Sequence, residues 1–530
     1  MKNRLIPFVL LSLALYSCGK TPEPTPTPEP DPAPKTITLS QTAISAGAEG
    51  ASYDITVKSP FVPQVEKPSW VTVTAASQSV DKDYNVKMSV TVAKNDTYEV
   101  REATLTFKAT GATSATLKVS QAAAEKPVDP TPGEKDGLAS FFGLGWNMGN
   151  HFDAYYNGSW AGEKEGYPDE TAWQGNKATQ ATFDGVKALG FTSVRIPISW
   201  LKMIGPAPDY KINETWMNRV YEVVGFAHNA GLKVIINTHH DENHHNIIEN
   251  GVDIDTRWQD ILGASKNAEV NAAIKAEIRA VWTQIAEKFK DKGDWLIFEG
   301  FNEINDGGWG WSADFRADPT KQCNILNEWN QVFVDAVRAT GGNNATRWLG
   351  VPTYAANPSF EQYLTLPADP AGKLMLSVHF YDPSDYTIGE AQYSDWGHTG
   401  APGKKSSGGD EDPVKDIFGN LFRKYVDKDI PVYVGEFGCS MRAQSDARAW
   451  AFYLYYMEYV TKAAKVYGLP AFLWDNGAKG AGQEQHGYID HGTGDYIGNS
   501  KTVVDLIVKA MTSTDKNYTL QSVYDSAPKF

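Results

Sequence analysis

From residue 138 to residue 530 the chain repeats one alternation, a short apolar run that reads as a buried strand followed by an amphipathic segment that reads as a helix. The strand-like runs end near Asn150, Ile198, His240, Glu303, Pro352, Tyr381, Gly438 and Gly477. Between them lie helix-like segments such as Thr179 to Leu189, Glu214 to Ala230, Ala272 to Phe289, Ile325 to Thr340, Val414 to Val426 and Ala447 to Tyr467. Strands joined by helices run parallel, because each crossover returns the chain to the same end of the sheet. Eight such units fit an α/β fold, a closed (β/α)8 TIM barrel with enlarged loops. An open doubly wound sheet is the structural competitor, and it leaves the acidic and aromatic strand ends without a shared pocket.

Two of those ends carry a glutamate: Glu303 closes Leu296 to Glu303 (LIFEGFNE) and Glu436 lies in Pro431 to Gly438 (PVYVGEFG). The C-terminal end of barrel strands is where catalytic groups collect. Two carboxylates facing each other across a sugar are what glycoside hydrolysis needs, one to protonate the leaving oxygen and one to attack the anomeric carbon or activate water. The competing reading is two ordinary surface glutamates among the 64 acidic residues. A formal net charge of -15 argues against nucleic acid as a partner, since phosphate contacts need clustered Lys and Arg. A neutral substrate fits better, and 16 Trp and 25 Tyr supply faces on which neutral sugar rings pack.

The N-terminus begins with Lys2 and Arg4, runs apolar from Leu5 to Leu15 and then reads Tyr16-Ser17-Cys18-Gly19. A charged start, a short apolar core and small residues near a cleavage point predict an export signal over residues 1–18, whereas a membrane span needs about 20 apolar residues. Leu15-Tyr16-Ser17-Cys18 resembles a bacterial lipobox, which implies lipidation of Cys18, an outer-membrane lipoprotein and membrane contact through that anchor only. Tyr16 is unusual there, so a soluble export signal is the alternative. Residues 19–35 place Pro at every even position from Pro22 to Pro34 and read as an extended tether of about 40 Å.

From residue 36 to residue 123 short alternating runs such as Ser52 to Val57, Val86 to Val92 and Ala103 to Phe107 predict a small all-β, immunoglobulin-like sandwich. Trp70, the stretch Thr97 to Ala103 and Leu117 to Gln121 resemble BACON-type domains attached to polysaccharide-degrading enzymes. That resemblance leaves open a carbohydrate-binding role or a spacer whose Trp70 is core, and the spacer is favoured. A Pro-rich and charged linker, residues 124–137, precedes the large domain.

Within that domain seven strings occur in order: GWNMGN from Gly145, VRIPISW from Val194, VIINTHHD from Val234, FEGFNE from Phe298, VHFYDP from Val378, VGEFG from Val434 and LWDNG from Leu473. Together they resemble family 5 glycoside hydrolases, and most closely the subfamily of endoglucanases and xyloglucanases, over essentially all of residues 138–510. The resemblance implies Glu303 as general acid/base and Glu436 as nucleophile, with Arg195 holding Glu436 ionised by lowering its pKa. It further implies that Asn302 donates to the sugar 2-hydroxyl, that Tyr381 and His379 orient the carboxylates and that Trp474 stacks on the sugar at the cleaved bond. His239 and His240 sit on opposite faces if the strand runs through them; the resemblance implies that His239 is the one facing the mouth, and His240 also reaches substrate if the strand ends there. Ile304 stands where the family usually has Pro. The glycine-rich loop after the acid/base carries Trp309 and Trp311, read as candidates for a flexible sugar subsite.

The run His239 to His245 is not H-E-x-x-H and begins at a strand end, so no catalytic metal and no cofactor are expected. Cys323 and Cys439 read as free thiols. The expectation is therefore an exported, monomeric, retaining endo-β-1,4-glucanase acting on a β-glucan, cellulose-type or xyloglucan. A xyloglucan-specific endoglucanase and an endo-β-1,4-mannanase are the neighbouring alternatives. A surface glycan-binding protein on an inactive barrel is the reading from another class, and it predicts loss of Glu303 or Glu436.

Overall fold

The computed structural model describes residues 33–95, 97, 99–124, 141–156, 167–241, 248–249, 252–253, 259–389 and 393–530. The export signal, Cys18, nearly all of the first tether and most of the second linker lie outside the described residues. The chain divides at Pro127 into two compact units.

The first unit comprises β1 (Thr38–Leu39), β2 (Ala43–Ala46), β3 (Ala51–Lys58), β4 (Gln64–Glu66), β5 (Val71–Ala75), β6 (Asn85–Val92), β7 (Arg101–Lys108) and β8 (Ala115–Gln121). They form two four-stranded sheets, ordered β1-β3-β6-β5 and β2-β8-β7-β4. In β6, Val86, Met88, Val90 and Val92 are buried while the residues between them are not, the period-two pattern of a sheet with one face on the core. Those residues meet Leu105, Phe107, Leu117 and Val119 in one apolar cluster shared by both sheets. Trp70 packs against this cluster half-buried, with the Arg101 guanidinium 4.6 Å from its ring centroid, a cation–π contact on the face that a bound sugar needs.

The second unit is a closed barrel of eight parallel strands in chain order: β9 (Leu144–Asn147), β10 (Ser193–Ile196), β11 (Lys233–Ile236), β12 (Leu296–Glu299), β13 (Leu349–Pro352), β14 (Leu374–Phe380), β15 (Val432–Phe437) and β16 (Ala471–Leu473). Pairing of β16 with β9, Ala471 opposite Leu144, closes it and excludes the open sheet. Outside lie α1 (Gln180–Ala188), α2 (Glu214–Asn229), α3 (Ala268–Lys288), α4 (Pro319–Ala339), α5 (Glu411–Lys424), α6 (Ala447–Val466) and α7 (Ser500–Thr512). Caps start them where the sequence changes: Asn213 accepts from Trp216 N at the head of α2 and Asp446 from Ala449 N at the head of α6. The fifth connection departs from the expected repeat. It holds only 3₁₀ turns, Tyr354–Ala356 and Pro358–Tyr363, in a stretch that Pro358, Pro367 and Pro370 keep from forming a long helix. Among the described residues no helix is long and apolar enough to cross a membrane.

The barrel interior is built in two layers by strand alternation. Ile235, Ile297, Met375, Tyr433 and Phe472 join Phe142 as a fully buried floor, each aliphatic member worth about 1.5–3 kcal/mol of apolar burial. One step up each strand sit Asn147, Arg195, Asn237, Glu299 and Ser377, all fully buried and all polar. Gly350 admits the Tyr433 hydroxyl, since a Cβ there falls 2.4 Å from it.

Strict alternation from the inward Tyr433 points Gly435 inward and turns Glu436 out toward the helices. The ladder prevents this. Val378 pairs with Val434 but His379 pairs with Glu436, and on the other side Val434 pairs with Ala471 but Phe437 with Leu473. One extra residue is accommodated in β15, a bulge that re-aims the side chain following it. A Cβ on Gly435 falls 3.1 Å from His379 Nε2 and 3.2 Å from Ser377 Oγ, so both 435 and 436 face the interior.

Candidate active site

Arg195 is the hub of the polar layer. Its Nε donates to Glu299 Oε2 at 2.7 Å, Nη1 to Asn147 Oδ1 at 3.0 Å and to Glu436 Oε1 at 2.7 Å, and Nη2 to Asn302 Oδ1 at 2.7 Å. A guanidinium with no exposed surface is tolerable only when paired in this way. Burial opposes its charge, but Glu299 and then Glu436 outweigh burial and hold its pKa above the ordinary value.

Glu299 was not singled out from sequence, yet it is the carboxylate at the true end of β12. It accepts from Arg195 and Asn237 on one oxygen and from the Ser377 and Tyr433 hydroxyls on the other, at 2.6–3.1 Å. Burial alone raises its pKa, and Arg195, His379 and the Ser377 hydrogen bond reverse that, holding it below the usual carboxylate range. With every acceptor direction used it is a permanent anion that shares Arg195 with Glu436.

Arg195 acts on Glu436 in the expected direction, and burial outweighs it. Burial is the largest influence on it and raises its pKa; His379 and Arg195 pull it down, Glu303 pushes it up, and the net direction is upward. Arg195 bonds Glu436 as expected and pairs with Glu299 as well. Tyr381 donates its hydroxyl to Glu436 Oε2 at 3.0 Å, the predicted orienting bond.

Glu303 stands four residues beyond the end of β12 rather than on the strand. Asn305 Nδ2 donates to its carbonyl at 2.8 Å, and Ala355 N donates to the carbonyl of the fully buried Ile304 at 2.9 Å, so the departure from Pro leaves this turn well anchored. His379 lies between the two glutamates, its Nδ1 2.7 Å from Glu303 Oε1 and 3.6 Å from Glu436 Oε2. Burial lowers the His379 pKa to about 4, so the imidazole is neutral and one proton serves the short contact to Glu303. One oxygen of each glutamate and a ring nitrogen of His379 all lie within 4.8 Å of one another.

The aromatic positions separate into two groups. Trp474 is half-buried, its indole parallel to the buried His239 ring at 6.0 Å and 5°. Asp475, accepting from Trp146 Nε1 at 2.9 Å and Ile489 N at 2.8 Å, pins the turn that presents it. Because β11 ends at Ile236, strand alternation does not govern the two histidines. Their rings lie 4.4 Å apart, and the half-buried His240 faces Tyr155 and Trp173 at 6.3 and 6.0 Å. Trp173, 38% exposed with its indole N–H on the Tyr155 carbonyl, was missed from sequence because no strand-end motif flags it.

Beyond Glu303, Trp309 and Trp311 are 47% and 77% exposed. Side-chain hydrogen bonds brace their loop. Asp306 accepts from Ser312 Oγ, from Gln322 Nε2 at 2.8 Å and from Gly308 N at 3.1 Å, while Asn305 Oδ1 accepts from Gly307 N and Trp309 N. Cys323 and Cys439 are buried free thiols.

Asp153, His239 and His240 also bring one potential ligand atom each to within 4.8 Å of one another. Both Asp153 oxygens already accept backbone N–H groups, from Asn150 at 3.0 Å and His151 at 2.8 Å, which gives that carboxylate a structural task. Residues 242–247, with the rest of the histidine run, lie outside the described residues.

A parallel barrel that opposes two glutamates at its mouth, with a buried cation behind one and an imidazole between both, defines a glycoside hydrolase. Comparison with known proteins makes this specific. The glycosyl hydrolase family 5 cellulase model matches residues 155–480 and the BACON model of N-terminal binding domains matches residues 61–122. Endoglucanase A of Paenibacillus barcinonensis is 33% identical over 388 residues, 71% of this chain and 89% of its own length. A solved GH5-4 broad specificity endoglucanase from Bacteroides salanitronis is 46% identical, with a TM-score of 0.65 over 74% of this chain and 99% of that one. The Bacteroides ovatus GH5 xyloglucanase, solved with a XXXG heptasaccharide, is 28% identical with a TM-score of 0.60 and covers 90% of this chain and 100% of its own. The chain belongs to glycosyl hydrolase family 5.

Proposed function

We propose that this protein is a retaining endo-β-1,4-glucanase working by double displacement. The observation that carries the mechanism is the short approach of the two glutamates, oxygens within 4.8 Å with His379 between them. A nucleophile pair needs its carboxyls about 5 to 5.5 Å apart, whereas a pair that admits water between them stands about 6.5–9.5 Å apart.

Glu436, clamped by Arg195 and Tyr381, attacks the anomeric carbon. The bond from that carbon to the glycosidic oxygen breaks, and Glu303 delivers its proton to the departing oxygen. Glu303, now ionised, takes a proton from water as the water oxygen displaces Glu436, restoring both carboxyls with the starting configuration. Asn302 presents its amide N–H to the sugar 2-hydroxyl, a contact that tightens as positive charge builds on the ring. Trp474 and His239 hold the ring at the cleaved bond, and exposed indoles on the Trp173 and Trp309 loops extend the grip along a polymer.

Both plain β-1,4-glucan and xyloglucan are within reach of this reading, and the likeness to the xyloglucanase across the BACON segment as well as the barrel keeps xyloglucan in view. Export by the N-terminal signal, lipidation of Cys18 and a monomeric state belong to the same proposal and are checked by metabolic lipid labelling of wild-type and Cys18→Ala protein and by light scattering. The reaction is tested by incubating the protein with cellulose, mixed-linkage glucan, xyloglucan and mannan while following the first product by NMR. Internal cleavage releasing the β-anomer is the expected result. Release of the α-anomer removes the double displacement, and inertness on every polymer removes the activity.

A further inference from the structure

A cavity opens at the same end of the barrel as the catalytic mouth, among the segments that follow β14, β15 and β16. It holds about 420 Å³, within the roughly 300–1,000 Å³ of small-ligand sites, and Tyr393, Lys404, Met441, Arg442, Asp446 and Gly482 line it. All three segments leave the C-terminal ends of their strands, so the cavity shares the face of the barrel that carries Glu436. Arg442 stands six residues beyond Glu436, which bounds their separation at roughly 20 Å.

Arg442 is the informative member of this lining. It is 6% exposed, yet no carboxylate pairs with it among the described residues. Nη1 donates to Ser440 O and Nη2 to Tyr386 O, each at 2.6 Å, and the guanidinium lies 4.8 Å from the Tyr386 ring centroid. Those bonds use two of its five N–H donors, and Nε has no partner. Arg347 is buried without an acid too, but it spends all five donors on Asn344 Oδ1 and four backbone carbonyls. Arg442 has no such saturation, so a buried cation faces the cavity with its charge uncompensated.

The rest of the lining keeps the balance positive. Lys404 is exposed and, among the described residues, its ammonium pairs with no acid. Asp446 is the one acid among the lining residues, and its Oδ1 accepts from Ala449 N at 2.9 Å, so its charge meets the positive end of α6. A chain of formal net charge -15 thus carries a cavity with two cations available to an anion. A carboxylate meets a guanidinium through two parallel hydrogen bonds, and the half-buried Tyr393 offers a ring face to an attached sugar.

We propose that this cavity is a subsite for an acidic sugar, in which Arg442 and Lys404 hold the carboxylate of a uronosyl unit carried by the glucan. The inference rests on the endoglucanase reading, which gives the reason that a charged group arrives here attached to a sugar chain. A free small anion is the competing occupant.

Titration calorimetry and saturation-transfer NMR of the full chain with glucuronate, glucose and acetate read the cavity directly. Glucuronate is expected to bind the wild type, and glucose and acetate are not. Lys404→Ala is expected to weaken binding about two- to fivefold, the range of one exposed charge pair, and Arg442→Gln about tenfold or more, the range of a hydrogen bond to a charged group. Arg442 also ties two loops together, so Lys404→Ala, on an exposed side chain, carries the test where Arg442→Gln does not fold. On polymer, partial oxidation at C6 turns some glucosyl units of a β-1,4-glucan into glucuronosyl units. The kcat/KM ratio of oxidised to plain glucan is expected to fall in Lys404→Ala by the same factor as the binding. Absence of glucuronate binding, binding that the variants keep, an unmoved ratio, or acetate held as tightly as glucuronate overturns the inference, the last by showing a site for any small anion. A wild-type enzyme inert on plain and oxidised glucan alike overturns the proposed function instead, and the glucuronate titration still decides the cavity.

Discussion

Arg195 fixes which end of the Asn302 side chain meets substrate. Its Nη2 sits 2.7 Å from Asn302 Oδ1, and because a guanidinium only donates, the oxygen has to face Arg195 and the NH2 has to face the other way. The cation that clamps the nucleophile thus also determines the polarity of the neighbouring amide.

Asn302→Ala is accordingly expected to lower kcat about 10²- to 10³-fold, the range for one lost donor to developing charge, with a much smaller change in KM. Asn302→Asp, which sets a second anion against Glu436, is expected to lose at least as much. Steady-state kinetics on cellotetraose separate the two constants, and a loss confined to KM shows that the contact is made equally in ground and transition states.

The two glutamates are separable by azide. Glu303→Ala is expected to lose about 10²- to 10⁴-fold on glucan, the usual contribution of acid–base catalysis, and to recover turnover with azide as a β-glycosyl product on an aryl cellobioside. Glu436→Ala is expected to form the α-glycosyl azide. Product NMR giving the same anomer from both variants breaks the assignment.

Raising the Glu436 pKa means that the folded protein prefers this carboxyl protonated. Its contribution to stability is fully present below the ordinary glutamate value and is lost as pH rises through the raised one. Glu436→Gln is therefore expected to melt at a higher temperature than wild type at pH 7 and at nearly the same temperature at pH 4. A variant that melts lower at pH 7 shows that the bonds from Arg195 and Tyr381 outweigh burial.

His379 and His486 both have pKa values lowered to about 4 by burial. Such groups take up protons in the unfolded chain first, so stability falls as pH drops from about 6.5 toward about 4. Neither ring nitrogen of His486 has a hydrogen-bond partner. His486→Phe, similar in shape and without titration, is expected to flatten the acid side of the Tm–pH curve, and an unchanged slope assigns it to other groups.

Trp173 lies with His240 on one side of the mouth, and Trp309 and Trp311 follow Glu303 in the loop beyond it. Stacking worth about 0.5–1.5 kcal/mol corresponds to roughly two- to twelvefold in affinity. Trp309→Ala with Trp311→Ala is expected to raise KM by that amount on long glucans and little on an aryl cellobioside. Trp173→Ala is expected to shift the cleavage position along cellohexaose, and unaltered product ratios remove it from the binding cleft.

Much of this site was legible because its chemistry sits in short runs after strands, where a motif such as FEGFNE names two functional residues at once. The eight strands read correctly because apolar runs bounded by helical periodicity leave few alternatives. Five of their ends read two to four residues long, since loops such as Thr238 to His240 look like strand, and the other three fall within one residue. Glu299 was passed over because a carboxylate inside a strand reads as surface until Arg195, Ser377 and Tyr433 are seen around it. Trp173 stands on a loop, where neither spacing nor hydropathy records what it faces.

The bulge in β15 has a consequence for how this barrel tolerates change. Up to Val434 the strand counts in one parity and from Glu436 onward in the other, so the bulge absorbs Gly435 and leaves the nucleophile inward in spite of it. Deleting Gly435 removes no functional group and no part of the apolar floor. Alternation then still leaves Glu436 inward, but the carbonyl that receives Asn147 Nδ2 at 2.8 Å is gone, and the amide that steadies Arg195 from below loses its own tether.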